Sequence, residues 1–160
     1  MKKIIVVSDT HGNTAGLEAL LPIIAENDYV IHLGDGAGDM REIRVLYPDK
    51  VYQCGGNCDF FSHYPEEGEL ETEYVKILYC HGHKYDVKRG LVNLAREAKR
   101  RGCDVALYGH THQAAITEMQ GVLLINPGTL RNAVGKGGSY CYLVIHKDKI
   151  TPVIIGETYS

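Results

Sequence analysis

Short apolar runs take turns with longer amphipathic ones through the first half of the chain. Lys3–Ser8 reads as a continuous apolar strand, and it stops at Asp9-Thr10-His11-Gly12-Asn13. Asn13 can cap a helix over about Thr14–Glu26, in which Leu17, Leu20, Leu21 and Ile24 share one face and Pro22 predicts a kink or an early end. Tyr29–Leu33 reads as a second strand, stopped by Gly34-Asp35-Gly36. A helix near Asp39–Tyr47 follows, then a strand Val51–Cys54 and the loop Gly55-Gly56-Asn57-Cys58-Asp59. Strands alternating with helices in this way imply parallel crossovers.

The pattern then changes. Glu69–Glu73 alternates like an edge strand, and Val75–Cys80 is an apolar strand ending in His81-Gly82-His83. Leu91, Leu94, Ala95 and Ala98 recur at helical spacing within Gly90–Arg101, and Asp104–Tyr108 is another buried strand, ending in Gly109-His110-Thr111-His112. The last third reads as antiparallel: Ala115–Met119 and Val122–Ile125 flank a Gln120-Gly121 turn, and Ser139–His146 and Lys149–Ile155 flank Lys147-Asp148. These elements predict one α/β domain over residues 1–160, with two sheets facing each other and helices outside.

Composition narrows the function. Seventeen Lys and Arg against twenty Asp and Glu leave a formal charge of −3, which argues against a general binder of nucleic acid or membrane surfaces. A small anionic substrate needs only local positive charge. No apolar run approaches the roughly 20 residues of a membrane span, and the apolar start is too short for a secretory segment. Five cysteines, an odd number without Cys-x-x-Cys spacing, argue against a disulfide framework or a thiolate zinc site. A reducing cytoplasm is the simplest compartment.

Polar residues collect in the loops just after strands: Asp9 and His11, then Asp35, then Asn57 with Cys58 and Asp59, then His81 and His83, then His110 and His112. The carboxyl ends of parallel strands share one edge of a sheet, where ligands bind. On an extended backbone, Asp-x-His and His-x-His put two side chains on one side, within reach of one metal cluster. Imidazole, carboxylate and carboxamide donors suit Mn, Fe, Ni, Co or Zn. Each motif alone has an ordinary reading. An Asp after a strand is usually a turn residue or helix cap, Gly-Asp-Gly is a common turn, and a histidine pair can be surface. Five such motifs in order, each after a predicted strand, are not readily arranged by chance.

Asp9-Thr10-His11-Gly12, Gly34-Asp35, Gly56-Asn57-Cys58-Asp59, His81-Gly82-His83 and Gly109-His110-Thr111-His112 together resemble the ordered motifs of calcineurin-like metallophosphoesterases. The short length, the Gly-Asn-Cys-Asp variant and Asn126-Pro127-Gly128-Thr129 resemble the family's small single-domain prokaryotic phosphodiesterases. The likeness runs from the first strand to about Tyr142. It implies a four-layer α/β/β/α sandwich of two facing mixed sheets and a centre of two divalent transition metals, Mn first, with Ni, Fe, Zn or Co as alternatives. By position, Asp9, His11 and His112 would hold one ion, Asn57, His81 and His110 the other, and Asp35 would bridge them with a water or hydroxide. Such a pair makes a nucleophile from water and clamps phosphate oxygens for in-line attack. The neutral Asn57 leaves a net positive charge there for a phosphodiester anion.

Many relatives carry, at the position of Cys58, a histidine thought to protonate the leaving group. Cys58 is therefore a candidate acid, which predicts a preference for good leaving groups; its plainer reading is a small side chain filling the loop. His83 is a second candidate donor or phosphate contact. Asp59 orients a ligand or caps a turn, and His32 reads as a packed residue behind the site. Lys84, Lys88, Arg89 and Arg131 would aid phosphate binding or be merely solvated. The resemblance thus implies a phosphodiesterase for small organic or nucleotide diesters. The alternatives are a phosphomonoesterase, a nuclease, or a non-catalytic scaffold like the retromer subunit of this fold. A small phosphodiester is the expected partner, with no membrane and no stable nucleic-acid partner; homo-oligomerisation stays open.

Overall fold

The computed structural model describes residues 1–60 and 63–156. In chain order its elements are β1 (Lys2–Val7), α1 (Thr14–Glu18), α2 (Leu21–Glu26), β2 (Tyr29–His32), α3 (Arg41–Leu46), β3 (Val51–Gln53), β4 (Glu67–Thr72), β5 (Val75–Cys80), α4 (Val92–Arg100), β6 (Val105–Leu107), β7 (Ala115–Met119), β8 (Val122–Asn126), β9 (Tyr140–His146) and β10 (Lys149–Ile155). The strands form two mixed five-stranded sheets, ordered β10-β9-β1-β2-β3 and β4-β5-β6-β8-β7. In the first, β1, β2 and β3 run parallel and β9 pairs antiparallel with β1. In the second, β5, β6 and β8 run parallel.

The apolar runs dictate the layering. Ile4, Ile5, Val6 and Val7 of β1 are all fully buried, and successive residues point to opposite faces. Ile4 and Val6 pack between the sheets with Ile77, Tyr79, Val105 and Leu107. Ile5 and Val7 pack outward against Leu17, Leu20, Ile24 and Ile43 of the α1–α3 layer. On the other side, Leu78 and Cys80 of β5 pack outward against Leu94, Ala95 and Ala98 of α4. Three apolar clusters therefore separate four layers, the expected α/β/β/α sandwich.

Two expectations changed in detail. The single helix over Thr14–Glu26 is two, because Pro22 would kink or break a helix interior and instead stands in the first turn of α2, where its missing N–H costs nothing. The last third is not wholly antiparallel, since β8 leaves its hairpin with β7 to pair parallel with β6. That register puts the carboxyl end of β8 beside those of β5 and β6.

Candidate metal centre

The carboxyl ends of β1, β2, β5 and β6 deliver side chains from both sheets to one edge. Two groups of donors form there, Asp9–His11–His112 and Asp35–His81–His110, each with its ligand atoms within 4.8 Å of one another. The pairs do not converge by strand pleating, as the sequence suggested. Asp9, His11, Asp35, His110 and His112 all take positive φ, at 53°, 44°, 57°, 71° and 65°. Left-handed backbone costs a non-glycine residue roughly 1–2 kcal/mol. Three of the four other non-glycine examples among the described residues, Glu73, Gln120 and Lys147, sit in hairpin turns, so most of this strain is concentrated on the donor residues.

Asp9 is fully buried. Its Oδ2 accepts from Ser8 Oγ and from the His110 N–H at 3.1 Å, and its carbonyl accepts from Thr129 Oγ1 at 2.7 Å. Its Oδ1 is buried and has no hydrogen-bond partner among the described residues. Around that oxygen stand His112 Nε2 at 3.1 Å, His11 Nε2 at 3.7 Å and His81 Nε2 at 3.9 Å. The rings also face one another: His11 Nε2 is 3.3 Å from His112 Nε2, and His81 Nε2 is 3.2 Å from His110 Nδ1. His81 Nδ1 donates to the Leu33 carbonyl at 2.8 Å, which turns the Nε2 lone pair inward. A buried carboxylate oxygen without a donor is costly, and one proton between two ring nitrogens leaves it unsatisfied. Divalent cations would satisfy the oxygen and the lone pairs together, so the donor set fits two metal ions of the N/O-loving kind.

A domain description for the calcineurin-like phosphoesterase superfamily matches residues 1–148. The chain belongs to that superfamily. The probable metallophosphoesterase YsnB of Bacillus subtilis is 35% identical over 150 residues, covering 92% of this chain and 87% of its own. A phosphodiesterase of Methanocaldococcus jannaschii is 29% identical over 143 residues, covering 79% and 82%. A phosphoesterase-like structure from Streptococcus pneumoniae superposes with a TM-score of 0.82 at 27% identity, covering 97% of this chain and 89% of that one. Vps29 of Chaetomium thermophilum shares the fold, with a TM-score of 0.76 at 15% identity over 99% and 100%.

In this phosphoesterase the Asp35 carboxylate lies 3.3 Å (Oδ2) from His81 Nε2 and accepts the Cys58 N–H on Oδ1 at 2.7 Å. Burial resists its ionisation, but His81 and the Cys58 N–H outweigh it and hold the carboxyl well below the usual range. Burial likewise pushes His81 down, and the Asp35 and Asp9 carboxylates more than reverse it. His110 is lowered by burial and by the charges of His81 and Lys88.

The remaining candidates are distributed less tightly. Asn57 and Cys58 are exposed on the loop after β3, with Asn57 Nδ2 3.6 Å from Cys58 Sγ. Desolvation and the Asp35 carboxylate push the Cys58 thiol up. The His83 ring centre is 5.4 Å from that of His81 and 6.2 Å from that of His110; its Nδ1 is buried without a partner and its Nε2 is 3.8 Å from Glu66. Of the loop cations, Lys84 pairs with Glu67 and Arg89 with Asp86, so neither faces the clusters unpaired.

Two residues with no positioning role in the sequence reading, Asp39 and Asn126, brace the donor loops. Asp39 Oδ2 accepts from Thr10 Oγ1 at 2.6 Å and from the Gly12 N–H at 2.8 Å, which fixes the loop bearing Asp9 and His11. Asn126 Nδ2 donates to the Gly109 carbonyl and to Thr111 Oγ1 and braces the His110–His112 loop. Asp59, read as an orienting or capping residue, accepts four backbone N–H groups: Gly56 at 2.7 Å, Asp35 at 2.8 Å, Gly36 at 2.9 Å and Ala37 at 3.1 Å. It ties the Asn57 loop to the Asp35 loop. Its burial opposes ionisation, yet those four donors keep its carboxyl below the ordinary range.

Proposed function

We propose that this phosphoesterase hydrolyses small organic or nucleotide phosphodiesters with two divalent transition-metal ions, Mn foremost. Asp9, His11 and His112 would hold one ion, Asn57, His81 and His110 the other, and Asp35 would serve both. The observation that carries this reading is the unpartnered Asp9 Oδ1, faced by three imidazole nitrogens within 3.9 Å. When bound, such a pair of ions supplies a water-derived nucleophile at neutral pH and polarises phosphoryl oxygens.

The chain's own residues set the geometry and the charge. The inward lone pair of His81 and the ionised Asp35 are fixed by backbone partners, the Leu33 carbonyl and the Cys58 N–H. Asn57, being neutral, adds no third negative charge against an anionic diester. Cys58 is held by its own N–H on Asp35, so its exposed thiol stands at the rim as a donor to a departing oxygen. His83, with its ring centre 5.4 Å from that of His81, stands beside the second donor group as a contact for a phosphate oxygen.

Dialysis against a chelator should abolish turnover of bis(p-nitrophenyl) phosphate, and Mn²⁺ should restore it. Metal analysis should count two ions per chain. Asp35→Ala and His110→Ala should lose turnover while keeping the wild-type circular dichroism. Full activity in either variant, or after chelation, overturns the proposal. Mono-aryl phosphate in the same assay separates a phosphomonoesterase. Fold alone does not distinguish an enzyme from the scaffold reading that Vps29 suggests; the two donor groups weigh for the enzyme. The five free cysteines suit a reducing cytoplasm, and no helix of the described residues is long and apolar enough to cross a membrane.

A further inference from the structure

A cavity of about 360 Å³ opens beside the centre. His112 and Gln113 line one side, with Ala114 next to them, and Gly137, Gly138 and Gly156 line the other. Among the described residues, no acidic side chain and no large apolar one lines it. The wall is backbone because side chains do not fit behind it. A Cβ on Gly156 would meet the Gly138 carbonyl at 2.6 Å, and one on Gly138 would collide with the Asn132 carbonyl. Ser139 closes the end, its hydroxyl already donated to the Pro127 carbonyl at 2.8 Å. The segment Arg131–His146 carries no Asp or Glu.

A second cavity of about 380 Å³ shares Gln113 and Ala114 but lies among Val87, Leu91, Tyr108 and Ala115. It contains no residue of either donor group, whereas His112 belongs to both the first cavity and the Asp9 group. A substituent bonded to phosphorus must extend from the metal centre, and the first cavity has a donor residue, His112, in its own wall, whereas the second reaches the donor loop only through Thr111. Pockets for small ligands start at about 300 Å³, room for one sugar- or nucleoside-sized group and no polymer. The Gly138 N–H and carbonyl are already bonded to Ala133 and Gly135, which leaves the peptide groups of Gly137 and Gly156 and the Gln113 amide, and these match hydroxyl and amide groups better than an aryl ring.

Resting on the phosphodiesterase reading, we propose that this glycine-walled cavity binds an uncharged, hydroxylated organic substituent of the diester, of the nucleoside class. Gln113 and Ala114 then set specificity without touching the reacting atoms.

The test has two arms. In the first, metal-free protein is titrated with millimolar adenosine and followed by amide NMR. Shifts should centre on Gly137, Gly138 and Gly156. Silence at these glycines, or shifts at Val87, Leu91 and Tyr108 instead, overturns the proposal. In the second, Ala114→Leu and Gln113→Ala should each lower kcat/KM for a dinucleoside monophosphate about tenfold relative to bis(p-nitrophenyl) phosphate, the scale of one misfitted group in a pocket. An unchanged ratio in both variants also overturns it. If the glycines respond while no diester is hydrolysed, the cavity stands and the phosphodiesterase reading falls. If bis(p-nitrophenyl) phosphate turns over while the glycines stay silent, the cavity falls and that reading stands.

Discussion

Acidification from pH 6.5 toward pH 4 should weaken the fold through one imidazole, that of His32. It is fully buried at the end of β2. Its Nδ1 accepts the Gly34 N–H at 3.0 Å, so its proton is on Nε2, which faces Thr10 Oγ1 at 3.0 Å, and the Thr10 hydroxyl in turn donates to Asp39. A second proton would remove the acceptor from Gly34 and leave a charge in the core. Burial therefore pushes His32 down from 6.5 to about 4, only partly offset by Asp59, Asp9 and Asp39. Between those values the unfolded chain binds a proton that the native protein refuses. The stabilisation is thus complete above pH 6.5 and is lost as the pH falls to about 4. At 1.36 kcal/mol per pH unit, the gap is worth about 3 kcal/mol. The carboxyls of Asp35 and Asp59, being lowered, contribute stability that disappears only below this window. His110, also lowered, contributes in the same sense as His32, and His81, being raised, in the opposite one, so the readout is a difference between two proteins. Urea unfolding of metal-stripped wild type and His32→Asn should be compared across this range. Asn keeps an acceptor for Gly34, and the variant should be less stable near neutrality but flatter with pH. Parallel profiles for the two proteins would refute the argument.

Asp59→Asn leaves one oxygen for four donors; with hydrogen bonds to a charged group worth about 1.5–3 kcal/mol each, it should cost about 2–4 kcal/mol in urea and weaken Mn²⁺ binding in a calorimeter. Unchanged metal affinity would reduce Asp59 to a structural tie. Cys58→Ala should slow diesters with alkyl leaving groups about 100-fold and aryl diesters little, as loss of a general acid does. Equal rates on alkyl substrates would assign Cys58 to filling the loop. Leu94→Ala should cost about 2–5 kcal/mol by opening a cavity between α4 and β5, with kcat unmoved once the protein is folded. A loss of stability under 1 kcal/mol would show that α4 collapses onto the gap.

Much of the centre could be read from the chain because its donors sit at strand ends, and strand ends are local events. The apolar run Ile4–Val7 and the stop at Asp9 are neighbours in sequence, as are Ala106–Leu107 and His110. The means of convergence could not be read. Left-handed φ at Asp9, His11, His110 and His112 is imposed by contacts such as Thr129 Oγ1 on the Asp9 carbonyl, 120 residues away in the chain. Asp39 and Asn126 were missed for the same reason. Each acts on a loop 15 to 29 residues distant, and an acid or amide in a turn carries no local mark of what it will accept or donate. Asp59 stood inside a recognisable motif, yet its four-fold grip on a second loop is a tertiary fact. The parallel pairing of β8 followed the same rule: a hairpin is legible from its turn, and the partner of its outer edge is not.

Each donor group straddles the seam between the sheets, with Asp9 and His11 facing His112, and Asp35 facing His81 and His110. An ion seated in either group would therefore act as a rivet through the sandwich. At a hundredfold excess over its dissociation constant, one rivet tightens the whole domain by about 2.7 kcal/mol. The capacity for chemistry and the mechanical coherence of the two halves would then rise and fall together with the supply of metal.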